Sequence, residues 1–295
     1  MSRRVRRSGL TMPINNARFV RRSWTRDCDY LNFDLEDSVP PAEKVNARDM
    51  ARQWVPDLRK AGRRVMVRCN GLDTGLTRDE LAAVIGPDIY GVSVGKTESP
   101  WDIQEINRII GPYEAAAGLE TGAIKLIPWI ESAKAVMNAP QMAGASSRII
   151  AIAFGAEDYT VDMGLQRTDS GEEVYVPRAT TAIAARAAGV ASLDSPYVAF
   201  RNPEGLKEDC STARQLGYNG KFAIHPAQID SINETFSPNP EDVAYARRVM
   251  EAWNQAEAAG RGSLDLDGKM VDVPVVKRAQ NLLALVEVIN QQSLA

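Results

Sequence analysis

The chain has 295 residues, 44% of them hydrophobic and 25% charged, the balance of a globular protein able to bury a sizeable core. That length suits one large α/β domain with an appendage. A net charge of −3 gives no global pull toward nucleic acid or an anionic membrane, and no apolar run approaches the ~18 residues of a membrane span.

Arg3, Arg4, Arg6 and Arg7 open the chain; no apolar segment follows them, so no secretory leader is expected, and Arg3 and Arg4 read as a solvated basic terminus. Gly9–Met12 is the first predicted strand and Ala17–Thr25 the first helix. Tyr30–Leu35 is a second strand. It runs through Asp34 into Glu36 and Asp37, and a helix follows over Ala42–Trp54. Val65–Cys69 carries Arg68 and leads to Asn70, then to a helix at Arg78–Ile85. Ile89–Val94 runs into Lys96 and Glu98 before a helix at Pro100–Ile110. Ile124–Ile130 ends at Glu131, with a short helix over Ser132–Met137. Ile149–Phe154 ends in Glu157 and Asp158. A helix at Arg178–Ala188, a strand at Ala191–Leu193 and a helix at Asn202–Leu216 come next. In that helix Leu206, Cys210, Ala213 and Leu216 share a face, and Gly217 suits its stop. Lys221–Ile224 is the last strand of the series and ends at His225.

Eight strands alternating with helices over roughly 230 residues predict an α/β fold of the (β/α)8 TIM-barrel type. An open doubly wound sheet would usually carry a glycine-rich phosphate turn after its first strand, and none is visible. "FSPNPED" (Phe236–Asp242) reads as a hinge. Beyond it, Val243, Ala246, Met250, Trp253 and Ala256 mark a helix, Asp267-Gly268 a hairpin, and Leu282, Leu283, Val286 and Ile289 a last helix. The expected domains are a catalytic barrel over residues 1–236 and a C-terminal helix-hairpin-helix appendage over 237–295.

Cys28, Cys69 and Cys210 are far apart and form no CxxC pair, which suggests a reducing, cytoplasmic setting. His225 is the only histidine, so a two-histidine metal site within one chain is excluded.

Catalytic groups of a barrel stand at the C-terminal ends of its strands. Several carboxylates and at least two cations, Arg68 and Lys96, gather there. Such a set needs a hard cation, Mg²⁺ ahead of Mn²⁺. Glu131 and Asp158, on neighbouring strands, are the natural ligand pair, with Glu157 or Asp37 as alternatives. Arg68 and Lys96 beside them suggest an anionic substrate. The bland alternatives are helix caps at Glu36-Asp37-Ser38 and Glu131-Ser132, and a structural pair between Arg68 and Glu36 or Asp37. His225 reads as a positioning residue more than a base. Lys221 stands at the start of its strand, where pattern alone does not put it at the mouth.

The motifs "RRSGLTMP", "FDLEDSV", "VRCNGLDT", "GKTES", "PWIESA", "FGAEDYTVDMG", "GKFAIHPAQ" and "LDGKMVDVP" run nearly end to end. Together they resemble the citrate lyase β-subunit-like family of the HpcH/HpaI aldolase superfamily, which includes malyl-CoA and citramalyl-CoA lyases. The resemblance implies Mg²⁺ on Glu131 and Asp158, and a CoA thioester as substrate. Arg68 would contact the reacting acyl group, with Glu36 and Asp37 in the catalytic set. Lys221 and the segment Ile224-His225-Pro226 would lie along the coenzyme A groove, with Arg7 near the substrate or the CoA phosphates. It also implies a homo-oligomer, a trimer or hexamer, whose C-terminal appendage is a lid carrying Asp272 onto a neighbouring subunit. The implied reaction is retro-Claisen cleavage of a 3-hydroxyacyl-CoA. A malyl-CoA thioesterase, a carrier-protein-dependent citrate lyase β-type subunit, or a non-catalytic CoA-binding protein are the rivals. Gly95 stands where proline is common in the family, which would loosen that loop, and "TMPINNARF" lacks the small-residue turn of many relatives.

Overall fold

The computed structural model describes residues 5–293, so Arg3 and Arg4 lie outside the described residues. The chain divides into two compact units, Arg6–Glu234 and a second that begins at Thr235.

The first unit is a closed barrel. Its strands are β1 (Ser8–Pro13), β2 (Tyr30–Asp34), β3 (Val65–Cys69), β4 (Gly91–Val94), β5 (Lys125–Ile130), β6 (Ala151–Phe154), β7 (Ala191–Asp194) and β8 (Gly220–Ala223). All pair in parallel in chain order, and β8 returns to β1. The helices of its first half are α1 (Ala17–Ser23), α2 (Lys44–Lys60), α3 (Thr77–Val84) and α4 (Pro100–Ala116). Those of the second half are α5 (Ala133–Ala143), α6 (Ala156–Asp162), α7 (Glu172–Ala188), α8 (Pro203–Leu216) and α9 (Ile229–Phe236), the last crossing the boundary between units.

Alternation along each strand sends every second side chain into the barrel. Tyr30, Met66, Ile127, Trp129, Ala153, Leu193 and Phe222 fill the interior. Trp129 stacks on Phe222 with centroids 4.6 Å apart, and Tyr30 meets Phe222 edge-on. Gly9 makes room for this layer, since a Cβ there would lie 2.3 Å from the Tyr30 ring. The same parity carried toward the C-terminal ends brings Asp34, Arg68 and Glu131 to the mouth, above an aromatic floor.

Sequence and structure differ most around proline. Helix α5 runs on to Ala143 through Pro140, and α7 begins at Glu172 and passes through Pro177. A proline inside a helix loses a hydrogen bond and argues for a stop. Here α5 and α7 pack along each other, and that packing outweighs the loss. Helix α6 starts directly from β6, with Glu157 and Asp158 in its first turn, where a helix N-terminus favours acids.

The second unit holds α10 (Pro240–Ala258), a hairpin of β9 (Leu264–Leu266) and β10 (Lys269–Val271), and α11 (Val273–Ser293). Asn239 caps α10 by accepting the Asp242 amide at 2.7 Å. Asp267 and Gly268 turn the hairpin with φ of 56° and 75°, both left-handed, as a tight two-residue turn requires. Ala246, Val249, Val271, Val276 and Ala279 form this unit's own core. Among the described residues no helix is long and apolar enough to cross a membrane.

Candidate active site

The mouth is built outward from Asp34, the last residue of β2. Register places it beside Arg68 on β3. The Arg68 fork donates from Nε to Asp34 Oδ1 and from Nη2 to Oδ2, both at 2.8 Å. Its third nitrogen, Nη1, stands 3.0 Å from Glu36 Oε2, and the guanidinium lies 5.6 Å over the Trp129 ring. Ser38 Oγ and the Glu36 amide also donate to Asp34. Burial opposes charge on Asp34, but the guanidinium and these donors hold its carboxyl below the usual range.

The loop after β2 is fixed from below. Lys44 Nζ, itself buried, donates to the carbonyls of Leu35 and Glu36 at 2.5 and 2.7 Å, and to Asn70 Oδ1 at 3.1 Å. Asn70 in turn donates its amide to Glu80 at 2.7 Å. Sequence reading missed Lys44 and Glu80. They look like ordinary helix residues, and only the fold brings them under the loop.

Glu131 follows β5 and is buried. The Lys96 amide donates to its Oε1 at 2.5 Å. Two glycines make space for the carboxylates. A Cβ on Gly155 would lie 2.5 Å from Glu131 Oε2, and one on Gly95 would lie 2.8 Å from Glu36 Oε1 and 3.1 Å from Glu131 Oε1. Gly95 therefore answers a packing demand in this chain, rather than only loosening its loop. Burial, with Asp158 and Glu36 nearby, pushes the Glu131 carboxyl up to about 8. Burial likewise outweighs Arg68 and, with Asp37 beside it, pushes Glu36 up to about 7. Asp158 is raised by burial and by Asp37. Lys96 Nζ stands 3.1 Å from Glu36 Oε1 and 3.4 Å from Asp37 Oδ1. Neither buried Glu36 oxygen gains a well-angled hydrogen bond from these ion pairs.

The donor set fits a hard divalent cation. Only oxygens are offered, burial and neighbouring carboxylates raise the Glu131 and Asp158 carboxyls, and neither forms a side-chain ion pair among the described residues. No group of three or more His, Cys, Asp or Glu side chains forms a ready cage among the described residues. Mg²⁺ needs none, since it takes one or two carboxylates and keeps water and substrate for the rest.

The other expected residues scatter. Asp37 is exposed at the rim, 3.5 Å from Arg68 Nη2. Glu157 is exposed and pairs with Arg167 at 3.2 Å instead of joining the carboxylates. Arg7 lies away from the carboxylates. It precedes β1, at the N-terminal end of the barrel, and its guanidinium grips Asp29 at 2.8 and 3.1 Å. That end is opposite the mouth. Lys221 lies away from the mouth carboxylates too. Phe222 points inward, so Lys221 points out to the helical layer, 1% exposed, with Nζ 2.5 Å from both Asp194 and Asp209. Arg178 completes this buried set at 2.7 Å from Asp194 and 3.0 Å from Asp209. Lys221 is thus locked in a buried ion-pair set with both aspartates. Ile224, His225 and Pro226 do stand at the C-terminal end of β8, where Ile224 and His225 are exposed. His225 Nδ1 accepts the Ala227 amide at 3.2 Å and its ring stacks on Phe200 at 5.1 Å. Asp272, in the second unit, caps α11 by accepting the Val275 amide at 3.3 Å.

The HpcH/HpaI aldolase/citrate lyase family description matches residues 7–226. The citrate lyase subunit beta of Escherichia coli is 38% identical over 96% of this chain and 94% of its own length. Two proteins of Cereibacter sphaeroides are also similar. A (3S)-malyl-CoA thioesterase is 32% identical, covering 96% of this chain and 95% of its own. An L-malyl-CoA/beta-methylmalyl-CoA lyase is 31% identical, covering 89% and 88%. Among solved structures, CitE of Mycobacterium tuberculosis, in complex with magnesium, acetoacetate and coenzyme A, superposes with a TM-score of 0.74. It is 27% identical and covers 94% of this chain and 96% of its own. Barrel, mouth and matches agree, and the chain belongs to the HpcH/HpaI aldolase/citrate lyase family.

Proposed function

We propose that this protein is a Mg²⁺-dependent carbon–carbon lyase. Its substrate would be a 3-hydroxyacyl-CoA with a distal carboxylate, of the malyl-CoA, β-methylmalyl-CoA or citramalyl-CoA type. The products would be acetyl- or propionyl-CoA and a 2-oxo acid. The carrying observation is Glu131: buried, tied at one oxygen by the Lys96 amide, and next to Asp158 with no side-chain ion pair of its own among the described residues. Glu131 and Asp158 would hold Mg²⁺, which supplies Lewis acidity to the hydroxyl and carboxylate oxygens of the substrate.

In the cleavage, the bond between the hydroxyl-bearing carbon and the thioester α-carbon breaks. Its electron pair passes to the α-carbon and the thioester oxygen. Arg68, held rigid by Asp34 and Glu36, stabilises the developing enolate with a preorganised guanidinium. The enolate carbon then takes a proton, matching the one lost by the hydroxyl. His225 is committed to a cap and a ring stack, and Glu36 lies between two cations. The family resemblance would assign the proton transfer to Asp272, carried on the C-terminal unit of a neighbouring subunit as a lid that also excludes water. Ile224 and His225, exposed at the mouth, would border the coenzyme.

Two relatives favour second readings: the thioesterase, and the citrate lyase subunit beta, whose counterpart here would act on a carrier-protein thioester. One experiment separates them. Purified protein with Mg²⁺ is offered malyl-CoA, β-methylmalyl-CoA, citramalyl-CoA and citryl-CoA, with metal omitted as control. Metal-dependent release of a shorter acyl-CoA and a 2-oxo acid supports the lyase. Free CoA with intact hydroxy acid means a thioesterase. No turnover of any free thioester rejects the lyase reading in favour of the carrier-protein form or a binder.

A further inference from the structure

Lys96 is the one non-glycine residue at the mouth with a left-handed backbone, φ 52°. Residues with a Cβ are strained there, and such strain persists where the surroundings enforce it. Two contacts enforce it here. The Lys96 amide is aimed at Glu131 Oε1, and its ammonium is aimed at Glu36 and Asp37. One residue thus grips carboxylates from two different strand ends, by two different groups.

The consequence is a division of the carboxylates. Asp34, Glu36, Asp37, Glu131 and Asp158 crowd the mouth. Arg68 and Lys96 attend the first three. Among the described residues Glu131 and Asp158 form no side-chain ion pair; Arg68 acts on both, and Lys96 on Asp158, only at longer range. Without Lys96, the strand-two pair would be free to compete for a divalent cation or to join its shell. We infer that Lys96 is a positioning residue that confines the cation to Glu131 and Asp158, neutralising Glu36 and Asp37 with its ammonium and orienting Glu131 with its amide. This rests on the metal reading above, and it gives Lys96 a role separate from substrate contact.

The test uses Mn²⁺ as probe, with equilibrium titration and the electron paramagnetic resonance spectrum of the bound ion. The proteins are the full chain, Lys96→Met, Lys96→Gly and Lys96→Arg. Glycine keeps the amide and adopts this φ without strain, so it serves if the methionine variant fails to fold. Lys96→Met and Lys96→Gly are expected to bind Mn²⁺ about fivefold tighter, the scale of one partly exposed ion pair, with an altered spectrum as Glu36 or Asp37 enters the shell. Lys96→Arg is expected to restore the original affinity and spectrum. Unchanged or weaker binding in the first two overturns the inference alone. A parent chain that binds no Mn²⁺ overturns the metal site together with it.

Discussion

Arg68 makes three kinds of contact at once: a two-pronged bond to Asp34, an ion pair to Glu36 and a face over Trp129. A lysine keeps the charge but has neither the fork nor the flat face. Arg68→Lys is therefore expected to lower kcat at least ~100-fold, as loss of an oxyanion donor does, while Mn²⁺ affinity stays within about threefold. Steady-state kinetics with a parallel metal titration checks this, and a kcat within tenfold of the parent would refute the enolate role. The positions of Arg68, Glu131 and Asp158 at the mouth were legible because strand ends can be read from pattern, and polar groups there are conspicuous. Asp34 was visible as well, but its duty as the anchor of Arg68 follows from register, which a single sequence does not state. The surroundings of Arg7 and Lys221 were not legible, for a related reason. A cation in a matching motif carries no sign of which end, or which side, of its strand it faces.

At the scale of elements, one capping position carries two readings of one residue. Asp272 opens α11 as its N-cap and is also the proposed proton donor. Asparagine caps a helix about as well as aspartate but cannot exchange the proton. Asp272→Asn should leave thermal stability and metal binding unchanged and abolish cleavage. Asp272→Ala should lose cleavage and also about 1 kcal/mol of stability. Melting curves and product assays on both variants separate the roles, and full turnover by Asp272→Asn would end the assignment. The hairpin before it was readable because Asp-Gly demands a tight turn, whereas α6 and the first turn of α7 were not. Those depend on a helix starting straight from a strand and on a proline outweighed by packing against α5.

Across the whole molecule, the mouth is a store of carboxylates that the fold holds together at a cost. Glu131 and Glu36 ionise normally near 4.5 but are pushed up to about 8 and about 7 in the folded chain. A carboxyl raised on folding favours the folded state fully only below its unfolded value. That contribution is lost as pH rises through the folded one. The metal-free protein should thus lose stability steadily from about pH 5 to pH 8. Bound Mg²⁺ requires the charged Glu131 carboxylate, so it displaces that proton and binds more tightly as pH rises over the same range. The rise in Tm on adding Mg²⁺ should therefore be small at pH 6 and grow through pH 8. Glu131→Gln removes the strongest of these titrations and should flatten the dependence while weakening the metal. Melting curves over this pH range, with Mg²⁺ or with chelator, give the outcome directly. A Mg²⁺ increment that is the same at every pH would mean that the buried carboxyls are not where the cation binds.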